Sequence, residues 1–149
     1  MIQSEFPEIT TFGTLVRFAL ELERVAAMVY EELASDPSCA AGADTFKALA
    51  EKHRARMALL EETRREKLNE AVLEPISDIR RADYLVDTAV PKGAHVKGSA
   101  AFAAVVEDTS AKFYRDTARI AKSILHGAVP IFERMAKENA SNKARLEGL

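Results

Sequence analysis

Residues 18–34 read FALELERVAAMVYEELA, and residues 102–118 read FAAVVEDTSAKFYRDTA. Aligned at a constant offset of 84 positions, Phe18, Ala19, Glu23, Ala27, Tyr30 and Ala34 stand over Phe102, Ala103, Glu107, Ala111, Tyr114 and Ala118. A second matched segment follows each copy. Phe46, Leu49, Ala50, Ala58, Leu60 and Glu61 correspond to Phe132, Met135, Ala136, Ala144, Leu146 and Glu147 at an offset of 86. A unit this long does not suit a solenoid, whose repeats run ~20 to 50 residues and need several copies. Two helical hairpins of common origin, forming the halves of one bundle, are the simpler account.

Hydrophobic spacing supports four helices. Leu15, Phe18, Leu22, Val25, Val29 and Leu33 recur at three- and four-residue steps, so helix one is expected from about Thr11 to Ser35, stopped by Asp36-Pro37. Asp44 or Thr45 is the expected N-cap of helix two, whose stripe of Phe46, Leu49, His53, Met57 and Leu60 continues among good helix formers to about Asn69. Helix three is expected from Ser99 to Leu125, ended by His126-Gly127, and Pro130 opens helix four, which extends to Leu146. The two short connections make each pair an antiparallel hairpin, about 11–70 and about 99–147. Between them, residues 71–98 are too long for a structureless loop, so they read as a crossover along the bundle with a short helix inside it. One long crossover between two hairpins is the ferritin-like arrangement of an all-α four-helix bundle. At 149 residues the chain is expected to be one such domain.

Composition removes several function classes. With 21 Lys plus Arg against 23 Asp plus Glu, and neither sign gathered in a long block, there is no footprint for nucleic acid or for an anionic membrane. Cys39 stands alone, which excludes an internal disulfide and any all-cysteine zinc or iron centre, and its place in the connection between helices one and two suggests an exposed, incidental thiol. No signal-like or membrane-length apolar run occurs, so a cytoplasmic location is expected. His95 and His126 join no spaced ligand set, Gly93 and Gly98 read as turn residues, and Arg64 to Lys67 form a solvated charged face.

The repeat draws attention to Glu23 and Glu107. Each lies among alanines on an apolar face, with Tyr30 or Tyr114 seven residues on, about two helical turns or ~10.5 Å along the axis. A lone glutamate on an amphipathic helix is ordinarily solvated. Two in the same repeat context point inward, where an unpaired carboxylate is costly and needs a partner.

This pattern resembles the rubrerythrin-like branch of the ferritin-like superfamily, in which helices one and three each supply a Glu followed seven residues later by a Tyr. The resemblance implies two irons between the four helices, acting on oxygen or peroxide, and a homodimer paired through helices one and two. The family's second and fourth helices also carry a Glu-x-x-His pair each. Here those positions hold His53 and Arg56 on helix two, and Asn139 and Asn142 on helix four. Moving the register to Glu51 or Glu138 turns those carboxylates about 100° or more off the inward face.

A complete di-iron centre is therefore not expected, and two arrangements remain. In the first, no cofactor is bound: Arg56 replaces the metal and holds both Glu23 and Glu107 through paired hydrogen bonds. The protein is then a non-catalytic oligomerising or interaction module. In the second, Glu23, His53 and Glu107 hold a single iron, zinc or manganese ion in a reduced oxidoreductase site. Against both stand the ordinary readings of His53 as a hydrogen-bonded core histidine, Tyr30 and Tyr114 as packing residues, and Arg56 as a surface arginine.

Overall fold

The computed structural model of the chain describes residues 1–67 and 70–149. Four α-helices form a bundle: α1 (Phe12–Ser35), α2 (Ala43–Lys67), α3 (His95–Ile124) and α4 (Val129–Glu147), with no β-strand among the described residues. α1 packs along α2 and α3 along α4, each pair joined by a short connection. Among the described residues no helix is long and apolar enough to cross a membrane.

Local chemistry sets the helix ends. Thr11 caps α1 reciprocally: its hydroxyl accepts from the Thr14 N–H at 3.2 Å, while the Thr14 hydroxyl accepts from the Thr11 N–H at 2.9 Å. At the other end Asp36 leaves the helical conformation, and a 3-10 helix, Pro37–Gly42, turns the chain into α2. Asp44 lies inside the first turn of α2 rather than before it, where its charge suits the positive end of the helix. The expected end of helix two at Asn69 falls outside the described residues. Pro130 sits in the first turn of α4, as its missing N–H permits.

Two expectations are corrected here. α3 begins at His95, four residues before Ser99, and runs through Gly98. The reversal is made instead by Gly93 (φ 70°) and His95 (φ 64°). Side chains of the first connection fix that turn: Asp36 accepts from the Gly93 N–H at 2.8 Å and Ser38 from the His95 N–H at 3.1 Å. Cys39 is fully buried, its sulfur 3.1 Å from the Ser99 hydroxyl. Cys39 and Gly42 of the connection between α1 and α2 thus tuck under the start of α3, while Pro37, Ala40 and Ala41 stay exposed.

Among its described residues the crossover contains two 3-10 turns, Glu70–Leu73 and Arg81–Tyr84, and no α-helix. It follows α1 from first turn to last. Phe12 N–H donates to the Glu74 carbonyl at 2.9 Å, Ile76 N–H to Thr10 at 3.0 Å, and Ile2 N–H to Thr88 at 3.1 Å, before Gly93 reaches Asp36. Midway, Tyr84 packs edge-on against Phe18 and Phe113 and donates to Asp116 at 2.5 Å. Enclosed by α2, α3, the crossover and the N-terminal segment, α1 leaves only Arg17, Glu31, Glu32 and Ser35 exposed. Its apolar residues divide between two core clusters, one built round Phe18, Phe113 and Phe132, the other round Val29, Phe46 and Leu49. Tyr114 belongs to the first and Tyr30 to the second.

Candidate functional site: a buried charge cluster

Glu23 and Glu107 enter the space between the helices from α1 and α3, and both are fully buried. His53, also fully buried, comes from the inward stripe of α2 and lies between them. Its Nδ1 is 2.5 Å from Glu23 Oε1 and its Nε2 2.8 Å from Glu107 Oε2. A neutral imidazole has one donor and one acceptor nitrogen, and an ionised carboxylate only accepts. With a carboxylate at each nitrogen, the arrangement is satisfied when both nitrogens donate, as in imidazolium. Burial opposes a charge on the ring, but the two carboxylates outweigh it and raise His53 from 6.5 to about 9. Burial likewise opposes ionisation of Glu107, but the nearby His53 cation and its hydrogen bonds hold that carboxyl down at about 2.

The tyrosines cross over. Tyr30, on the helix of Glu23, donates to Glu107 Oε2 at 2.6 Å, and Tyr114, on the helix of Glu107, donates to Glu23 Oε2. Seven residues separate each tyrosine from the glutamate of its own helix, a rise of ~10.5 Å that puts it near the partner helix's carboxylate instead. The Tyr30 ring also stacks on His53, with centroids 5.5 Å apart and planes 16° from parallel. Burial, and then the adjacent carboxylates, push both phenols well above their ordinary value, so they remain hydrogen-bond donors.

Arg56 is buried, 4 % exposed, one turn from His53. Its guanidinium donates to Asn139 Oδ1 at 3.0 Å and to the Met135 carbonyl at 2.8 Å, lies 3.5 Å from Glu23 Oε2, and covers the Tyr114 ring. The expectation that it holds both carboxylates is corrected: its ion-pair partners are Glu23 and, at 3.8 Å, the half-exposed Glu138. Glu107 is served by the two amides instead. Asn139 and Asn142 both donate to its Oε1, at 2.8 and 3.1 Å. Asn139 therefore spans the cluster, accepting from Arg56 and donating to Glu107, which fixes its amide orientation.

All eight residues singled out in the sequence meet in this cluster. Two carboxylates face one imidazolium and one guanidinium, so the buried charge is zero. The carboxylate oxygens all have donors or a cation beside them, as burial demands. Glu51 lies on the exposed face of α2, and His95, His126 and Arg64 to Lys67 are exposed and remote from the cluster. The Met135 carbonyl was not foreseen as a partner of Arg56, because a backbone acceptor leaves no side-chain signature.

The donor set does not fit a divalent ion in this arrangement. Both His53 nitrogens are turned to carboxylate oxygens, Arg56 stands 3.5 Å from Glu23 Oε2, and two amide N–H donors face Glu107 Oε1. Although Glu23, His53 and Glu107 converge, among the described residues no three His, Cys, Asp or Glu side chains are placed to hold one ion in common. What the cluster does chemically is neutralise two buried acids and join all four helices. In comparisons with known proteins, the chain matches no protein-family model, no curated protein and no solved structure.

Proposed function

We propose that this is a divergent ferritin-like bundle of the rubrerythrin-like kind, in which protein cations occupy the place of the metals and the bundle serves as a non-catalytic oligomerising or interaction protein. One observation carries the reading: each oxygen of Glu23 and Glu107 already faces a hydrogen-bond donor or a cationic side chain of the protein itself. Two divalent irons would need about four negative charges around them. This cluster contains two, and both are already matched by His53 and Arg56. The crossed Tyr30–Glu107 and Tyr114–Glu23 pairs support an origin in two related hairpins, since they exchange equivalent groups about a pseudo-twofold axis. The family's homodimer would have to form through the outer face of α2, because α1 is covered by the crossover and the N-terminal segment.

The alternative, a metal-dependent oxidoreductase with iron, zinc or manganese on Glu23, His53 and Glu107, is favoured only by the convergence of those three side chains. Metal uptake separates the two. Protein purified without chelators should contain no stoichiometric metal, and iron in air-free buffer or zinc in modest excess should leave the melting temperature unchanged, because a ligand stabilises only a fold that binds it. Saturable stabilisation that disappears in Glu23→Ala would overturn the metal-free reading.

A further inference from the structure

The outer surface of the bundle is not uniform. The exposed face of α2 mixes acids and bases, while the outer side of the α3–α4 pair carries an open groove of about 460 Å³ between the two helices. Small residues line it between the charged side chains: Ala118 and Ala136, buried at its base, and Ala140, exposed. Arg115, Arg119 and Lys122 wall it on α3, and Lys137 and Glu133 on α4. On a chain of net charge −2, this groove gathers four cations against one acid. Arg119 is held by Asp116 at 2.9 Å. Among the described residues, Arg115, Lys122 and Lys137 form no ion pair.

We infer that the groove docks an acidic α-helix of a partner protein. Arg115, Arg119 and Lys122 stand at i, i+4 and i+7, a stripe about 10.5 Å long on one face of α3. A second helix laid in the groove presents carboxylates to that stripe at matching spacing, with small or aliphatic residues against the alanines, where the absence of bulk permits close helix packing. A second copy in a twofold pair is disfavoured, because an isologous contact would set the same cations against each other. Glu133 gives the groove a polarity: a basic residue is expected on the partner helix at that end. The inference rests on the reading of the bundle as an interaction module, but peptide binding is measured independently of metal uptake, so either can fail alone.

The test uses the full chain and an alanine-rich helical peptide of about 20 residues bearing Glu at i, i+4 and i+7, with its Glu-to-Gln counterpart as control. The Glu peptide should bind, weaken as salt is raised, and shift the amide resonances of Ala118, Ala136 and Ala140. Arg115→Glu combined with Lys122→Glu should weaken it by at least about tenfold with the melting temperature unchanged, both positions being exposed. The inference fails if the Gln peptide binds equally well, if the shifts map elsewhere, or if the charge reversals have no effect. It also fails if inorganic pyrophosphate binds the same residues in preference to the peptide, or if the groove proves to be a contact between two copies whose dimer is lost in the double variant.

Discussion

Replacing Arg56 by Met tests the cluster most directly, because methionine keeps an unbranched apolar stem while removing the guanidinium with its charge and its donors. The Arg56 side chain is 4 % exposed, and its guanidinium donates to Asn139 and the Met135 carbonyl and sits 3.5 Å from Glu23. Its loss leaves the buried groups at net −1 and Asn139 Oδ1 without its donor. Stranding one member of a buried ion pair costs about 3 to 5 kcal/mol. Rescue should be asymmetric. Glu23→Gln in the Arg56→Met background restores neutrality and keeps an acceptor for His53 Nδ1–H, with the amide N–H₂ turned to the Tyr114 oxygen. Glu107→Gln also restores neutrality, but turning its oxygen to the two Asn donors sets its amide N–H₂ against His53 Nε2–H. Urea unfolding at pH 6, followed by far-UV circular dichroism with the denaturant slope checked for constancy, should show the first double variant recovering most of the loss and the second much less. Stability of Arg56→Met within ~0.5 kcal/mol of wild type would refute the role assigned to Arg56.

The cluster should also give stability a characteristic pH dependence. His53 is raised from 6.5 to about 9, so its contribution is complete below pH 6.5 and lost as pH rises through 9; the gap corresponds to about 3 kcal/mol. Glu107 is lowered from 4.5 to about 2, so its contribution is complete above pH 4.5 and lost as pH falls toward 2. Both arise in part from the one His53–Glu107 contact and are not summed. Unfolding measured from pH 2 to 10 should therefore peak between about 4.5 and 6.5, with the alkaline decline absent in His53→Gln; a flat profile from 6.5 to 9 would be the contrary result. Gly13→Ala, by contrast, probes the crossover. Alanine is ordinarily the better helix former, but a Cβ at Gly13 would lie 2.9 Å from both the Cγ1 and the carbonyl oxygen of Val72. A net loss of about 1 to 3 kcal/mol is expected, as for overpacking, and a gain in thermal stability would show that the crossover is not pressed against α1.

The four helices and the members of the buried cluster were readable in the sequence because both leave periodic traces. The stripe of Phe46, Leu49, His53 and Leu60 marks the inward face of α2, and Arg56, one turn from His53, shares it. The repeat identified Glu23 and Glu107 as equivalent before either could be placed in space. Pairing was less readable. Tyr30 is seven residues from Glu23 in sequence but bonds to Glu107, a choice set by helix neighbours rather than by spacing. Of the two buried acids Arg56 pairs with Glu23 only, because Asn139 and Asn142 fill the approaches to Glu107, and the sequence does not report how far a guanidinium must lean. The start of α3 was misplaced for a different reason: Gly98 carries the composition of a turn, while the turn itself depends on Asp36 and Ser38, held opposite Gly93 and His95 by the fold. Cys39 became a core residue through the same contact.

The division of charge across the cluster has a consequence for how the halves recognise each other. The hairpin α1–α2 contributes Glu23, His53 and Arg56, a buried charge of +1, whereas α3–α4 contributes Glu107 alone, −1. Two copies of the first hairpin docked together would enclose two surplus cations, and two copies of the second would enclose two acids with no cation to meet them. Each homotypic pairing is penalised by the low-dielectric interior, while the heterotypic one is neutral. The discrimination therefore acts against the wrong association as well as for the right one. Expressed as separate polypeptides, the two hairpins would be expected to select one another from a mixture and to leave neither self-paired.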